Sequence, residues 1–366
     1  MPRFLARAHL PDLFTALADA GYRCVGPTVR DGAIVYDRIT GVADLPRGVH
    51  DAQAPGRYRL REGDTPRHFA WANGAQCLKP LSFAPEETLW RATRTDDGRL
   101  CFEAETPAPP PTAVLGVRAC DLAALELQTR HFADDPHFQA RRRALLLIAV
   151  HCSHPAATCF CASTGDGPAA ADGFDLALHE LDEGYLVTTG SAAGRALADA
   201  LPLSPATAAQ QAAARAEVEA AAAAQTRRLP GRDLRDALFA RLDHPRWQDV
   251  AARCLSCGNC TAVCPSCFCH VQREEPDLDG RASRHRRLWD SCFTAGHSYL
   301  HGIVLRDDTA RRYRQWLTHK LAGWHDQYGR SGCTGCGRCI TWCPAGIDLT
   351  AEVAALLAGA PEAAHD

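Results

Sequence analysis

The apolar positions change their period several times along the chain. Over 11–20, Leu13, Phe14 and Leu17 share one helical face, Pro11 sits early in the turn and Gly21 follows its end, so an amphipathic helix is expected. Short strands follow at 33–39, after the Asp31-Gly32 turn, and at 57–60, after Pro55-Gly56. The runs 113–118 and 144–150 are apolar throughout and too short for helices. Between them lies a helical pattern (Leu122, Leu125, Leu127, Phe132) that Asp135-Pro136 interrupts. Strand, helix and strand of this length predict a right-handed βαβ unit with parallel strands. The runs 174–181 and 185–189 meet across Asp182-Glu-Gly184 as a hairpin, and Ser191 can cap a helix that ends near Ala200.

An Ala-rich stretch dotted with Glu, Arg and Gln occupies 203–229 and has high helix propensity. It reads as a helical linker or as a helix on a domain surface, and the domain boundary is placed there. Helical turns at 233–242 and 247–252 come next. The span 265–332 also reads as helical, with Trp289, Leu300, Ile303, Trp316 and Leu321 as apolar contacts. The expected class is α+β: an N-terminal α/β domain over 1–202, the linker over 203–231, and an α-helical ferredoxin-like domain over 232–366. A βαββαβ ferredoxin carrying an inserted subdomain is the alternative. A chain of 366 residues can bury two cores.

Composition narrows the function classes. Hydrophobic residues make up 46% and charged residues 23%, with a net charge of −3, which lacks the basic balance of a nucleic-acid-binding protein. Of 40 basic residues only Lys79 and Lys320 are lysine, a bias that accompanies the heavy Ala content. The apolar run 144–150 is too short to cross a bilayer, and Asp12 and Asp19 interrupt 1–21, so neither membrane insertion nor an export signal is expected. Eighteen cysteines would suggest disulfides in a small secreted domain, but here most stand at ligand spacings. A cytoplasmic, reducing location follows.

Two cysteine runs repeat one another: Cys254-Leu-Ser-Cys257-Gly-Asn-Cys260-Thr-Ala-Val-Cys264-Pro265 and Cys333-Thr-Gly-Cys336-Gly-Arg-Cys339-Ile-Thr-Trp-Cys343-Pro344. Each is C-x2-C-x2-C-x3-C-P, in which three thiolates wrap one [4Fe–4S] cluster and the fourth ligates the other. One cluster is therefore assigned to Cys254, Cys257, Cys260 and Cys343, and the second to Cys333, Cys336, Cys339 and Cys264. Gly258 and Gly337 would let the backbone pass close to sulfide. Paired structural zinc sites are the bland reading, but zinc ribbons need neither the third Cys nor the trailing Pro.

The βαβ unit supplies a further set. Parallel strands end together, at the sheet edge where α/β folds hold ligands, so Cys120 and Cys152 should emerge side by side. The next loop adds Cys159 and Cys161. These four suit a third [4Fe–4S] cluster, a closed zinc site, or plain burial. Cys24, Cys77 and Cys101 read as small buried hydrophobes, and Trp71, Trp90 and Phe102 as core or interface aromatics. Cys267, Cys269, Cys292 and His270 could form a zinc or cluster site, or simply pack. Segment 281–330 carries ten basic residues against four Asp, either a solvated face or a docking surface for an acidic redox partner.

No G-x-G-x-x-G, P-loop, G-x-S-x-G or H-E-x-x-H occurs, so no familiar nucleotide or hydrolase fingerprint is present. Taken with Pro55-Gly-Arg-Tyr-Arg-Leu60, Gly116-Val-Arg-Ala-Cys120-Asp121, Cys159-Phe-Cys161, Cys264-Pro-Ser-Cys267-Phe-Cys269, Trp289-Asp-Ser-Cys292, His319-Lys320 and the second Cys run, nearly the whole chain resembles the iron–sulfur beta subunit of cytoplasmic sulfhydrogenases, the NAD(P)-linked nickel–iron hydrogenases. It is similar also to the related iron–sulfur component of anaerobic sulfite reductase, with Ala119 standing where Pro is frequent. The resemblance implies a non-catalytic electron-transfer subunit between an FAD- and NAD(P)H-binding flavoprotein and a hydrogenase or sulfite reductase subunit. The alternatives are a stand-alone iron–sulfur oxidoreductase with a substrate pocket in the N-terminal domain, and a zinc-stabilised scaffold.

Overall fold

The computed structural model describes residues 2–358. Its strands are β1 (Arg3–Ala6), β2 (Arg23–Arg30), β3 (Ala33–Ile39), β4 (Val49–Ala54), β5 (Arg57–Glu62), β6 (Glu86–Arg94), β7 (Leu100–Ala104), β8 (Thr112–Val117), β9 (Leu145–Val150), β10 (Leu176–Leu181), β11 (Gly184–Thr189), β12 (Ser204–Pro205), β13 (His270–Pro276) and β14 (Ala282–Trp289). An eight-stranded sheet runs in the order β12-β1-β11-β10-β9-β8-β2-β3. Its centre, β2, β8, β9 and β10, is parallel, and hairpins close both flanks. The helix Ala119–His131 makes the crossover from β8 to β9.

The apolar run of β8 divides between two cores, as a strand buried on both faces requires. Ala113 and Leu115 face Leu5, Leu13, Ile148 and Tyr185; Val114 and Val117 face Leu122, Leu125, Phe132 and Leu147. The pairing with β9 slips between Leu115 and Val117, where Gly116 has φ +88° and its carbonyl accepts the Tyr36 hydroxyl at 2.5 Å. That bulge fixes how the chain leaves the strand toward Arg118 and Cys120.

The Ala-rich stretch forms the helix Ala208–Ala223, started by a Thr207/Gln210 capping box. It packs on the sheet through Ala214, against Phe4, Leu181 and Leu186. Glu217 ties it to Arg67 at 2.7 Å and His179 at 3.2 Å, so it is a helix on the domain surface rather than a free linker.

The span 265–332 departs from the helical expectation. Its first part is the hairpin β13–β14, and only later do the helices Thr309–Thr318 and Trp324–Tyr328 appear. Together β13, β14, β6 and β7 make a second sheet, so strands from both sides of 203–231 hydrogen-bond to one another. Charge pairs span the joint: Arg287 holds Glu87 at 2.6 Å, Arg286 pairs with Glu86, and His285 stacks on Trp90 with ring centroids 4.6 Å apart. A third core, with Trp247, Trp316, Leu317, Ile340 and Val353, supports the Cys runs and takes in Phe160 from the N-terminal half.

Several side chains depart from expectation. Cys101 and Phe102 are exposed on β7, whereas Cys24, Cys77 and Trp71 are buried. Part of the basic segment is paired rather than free. Arg286 and Arg287 are paired as above, Arg311 pairs with Asp307, Arg330 with Asp166, and Lys320 is buried. Among the described residues no helix is long and apolar enough to cross a membrane.

Candidate metal centres

Each Cys run is a loop followed by one short helix, Asn259–Ala262 in the first and Arg338–Thr341 in the second. Both helices start from a left-handed glycine, Gly258 at φ +73° and Gly337 at φ +74°. A Cβ on Gly337 would stand 2.4 Å from the Thr158 carbonyl oxygen, and one on Gly335 would stand 2.6 Å from the Cys161 backbone nitrogen. These glycines thus allow close packing of the second run on the Thr158–Cys161 loop.

The thiols sort into three neighbourhoods. Cys260 feels the charges of Cys254, Cys343 and Cys257, and more weakly that of Cys264. Cys339 feels Cys333, Cys336 and Cys264 before Cys260. Cys264 also acts on Cys333 and Cys336. The last cysteine of each run therefore stands with the first three of the other. Cys257 is exposed on the outer side of the first group, and Cys333 and Cys264 are buried within the second.

Cys120, Cys152, Cys159 and Cys161 make the third neighbourhood. Cys152 acts on both Cys159 and Cys161, and Cys161 acts on Cys120. The group abuts the second run: Cys336 acts on Cys120, Cys159 and Cys161, and Phe160 donates its backbone N–H to the Gly335 carbonyl at 2.8 Å. Two amides reach the sulfurs. Gln225 Nε2 lies 3.3 Å from Cys161 Sγ, and Asn73 Nδ2 4.0 Å from Cys159 Sγ. Neither amide carries a sequence signal.

Burial pushes the Cys161 and Cys333 thiols up to about 12, so they remain protonated unless a cation takes the proton's place. Among the described residues no three His, Cys, Asp or Glu side chains are drawn together around a single metal ion. Buried cations line the same ground: Lys320 is 5% exposed beside Cys264, Cys267 and Cys333, and Arg338 is 2% exposed between Cys336 and Cys339. Such positive groups fit a negatively charged thiolate cluster.

Residues 253–347 match the 4Fe-4S dicluster domain family. Sulfhydrogenase 2 subunit beta of Pyrococcus furiosus is 32% identical over 241 residues, which cover 64% of this chain and 71% of that protein. No solved structure matches the chain. The chain carries an iron–sulfur dicluster domain and has an electron-transfer role. It belongs to the family of iron–sulfur sulfhydrogenase beta subunits.

Proposed function

We propose that the chain is a one-electron relay with three [4Fe–4S] sites, working between a flavoprotein subunit that oxidises NAD(P)H and a nickel–iron hydrogenase subunit. The sites are Cys254, Cys257, Cys260 and Cys343; Cys333, Cys336, Cys339 and Cys264; and Cys120, Cys152, Cys159 and Cys161. A bound cluster supplies a one-electron couple whose potential follows from burial and from hydrogen bonds to sulfur. The observation that carries the reading is the contiguity of the thiol groups. The N-terminal group adjoins Cys336, the second adjoins the first through Cys264, Cys339 and Cys260, and the first reaches the surface at Cys257.

The protein residues hold the sites apart and dry. Thr158 and Thr341 share a hydrogen bond at 2.7 Å between the second run and the N-terminal loop, and Gln53 accepts from Thr341 at 2.7 Å. The name of the Pyrococcus relative favours a hydrogenase over a sulfite reductase as the catalytic partner.

The test is electron uptake by the anaerobically purified chain. It should be reduced by a low-potential donor, yet show no NAD(P)H-dependent dye reduction until the flavoprotein partner is added. Steady NAD(P)H turnover by the flavin-free chain alone would contradict the relay.

A further inference from the structure

The thiols of Cys267, Cys269 and Cys292 belong to none of these three sites, yet the fold gathers them. The hairpin β13–β14 does so: the Asp290 backbone N–H donates to the Cys269 carbonyl at 2.9 Å, which sets Cys269 against the start of the segment carrying Cys292. Cys267 and Cys292 are each 7% exposed. The group borders both dicluster sites, since Cys264 acts on Cys267 and Cys260 acts on Cys292.

The only two lysines of the chain are buried here, 264–320 being brought against residue 79 by the fold. Lys79 is 4% exposed; its Nζ lies over the Trp289 ring at 4.0 Å and donates to the Thr261 carbonyl at 3.2 Å. Lys320 donates to Ser266 Oγ at 3.1 Å, and Ser266 Oγ lies 3.4 Å from Cys264 Sγ. Among the described residues neither ammonium has a carboxylate partner in an ion pair, and the charges nearest Lys79 are those of Cys267, Cys264 and Cys269. Ammoniums buried with no opposite charge are strongly disfavoured. Thiolates bound to a metal–sulfur core would compensate them.

One further imidazole neighbours Cys269, and it is not that of His270. The His270 ring turns to the Phe268 carbonyl at 3.1 Å and to Phe83. His297 instead acts on Cys269, and its Nδ1 lies 3.3 Å from Asp290 Oδ2. A carboxylate on Nδ1 leaves Nε2 for a metal, the usual orientation of a ligating histidine. We propose that Cys267, Cys269, Cys292 and His297 hold an additional [4Fe–4S] cluster beside the dicluster pair, with Lys79 and Lys320 offsetting its charge. The inference goes beyond the relay proposed above, whose three sites are all cysteine-ligated.

Iron, sulfide and zinc per chain are measured on the full-length protein, purified anaerobically, with and without Cys269→Ser/Cys292→Ser. The double variant should lose about four irons, the content of one cluster, while the EPR spectrum of the dicluster pair persists. Unchanged iron in a folded double variant, or loss of one zinc instead, overturns the proposal. Should that variant fail to fold, the unmutated chain decides. With isotopically labelled histidine, the reduced protein should show a directly bound nitrogen coupling that vanishes in His297→Gln. The all-cysteine sites cannot give that coupling, and its absence overturns the proposal without touching the relay.

Discussion

Arg338 grips Asp121 through two bonds, Nη1 to Oδ1 at 2.8 Å and Nη2 to Oδ2 at 2.9 Å, with both side chains almost wholly buried. Arg338 lies between two cysteines of the second run and Asp121 follows Cys120, so the pair locks the dicluster segment onto the end of β8. Its remaining donors reach Gly74 O at 2.9 Å and Asn73 Oδ1 at 3.2 Å. Removing one partner strands a buried charge, which costs about 3–5 kcal/mol. Asp121→Asn should therefore lower the denaturant midpoint strongly, whereas Asp121→Leu/Arg338→Met should recover much of the loss. A parent-like midpoint for Asp121→Asn would remove the lock.

Cross-ligation is tested by Cys264→Ala. That thiol stands with Cys333, Cys336 and Cys339, so the variant should lose or convert the cluster of the second run and leave that of Cys254, Cys257 and Cys260 intact by EPR. The reverse loss would show that each run serves one cluster by itself.

The two left-handed glycines should differ in tolerance. A Cβ at 337 meets a backbone carbonyl at 2.4 Å, and one at 258 meets the Ser291 side chain at 2.8 Å. Both replacements by Ala carry the left-handed penalty of about 1–2 kcal/mol, but only Gly337→Ala must also shift the Thr158–Cys161 loop. Thermal unfolding should rank Gly337→Ala below Gly258→Ala, and the opposite order would contradict the packing described.

For the N-terminal group, Cys161→Ser should cost about four irons, one cluster's worth. Gln225→Leu should keep the iron but lower that cluster's potential, because the amide N–H 3.3 Å from Cys161 Sγ favours the more negative, reduced state. Parent-like iron in Cys161→Ser would remove this site.

Local pattern carried much of the fold. The strand expected at 33–39 spans Ala33–Ile39, Ser191 accepts from the Gly194 N–H as an N-cap, and the buried runs flanking the helix Ala119–His131 pair in parallel. The hairpin β13–β14 was hidden because its Arg- and Glu-rich residues show no clean alternation. What stabilises it lies far off in the chain, as in Arg287 with Glu87 and His285 on Trp90. The cysteine spacings likewise mark ligands. Spacing cannot show that Lys79 and Lys320 are buried beside some of the same cysteines, since only the tertiary fold brings those segments together.

The central claim is that the thiol groups form adjoining one-electron sites, and EPR during anaerobic reduction of the full chain tests it most directly. With Cys260 acting on Cys339 and Cys264 acting on Cys260 across the two groups, the fully reduced protein should show a broadened, spin-coupled spectrum. In Cys264→Ala the coupling between the two runs should be lost. Spectra that merely add, with no coupling at any potential, would contradict the account.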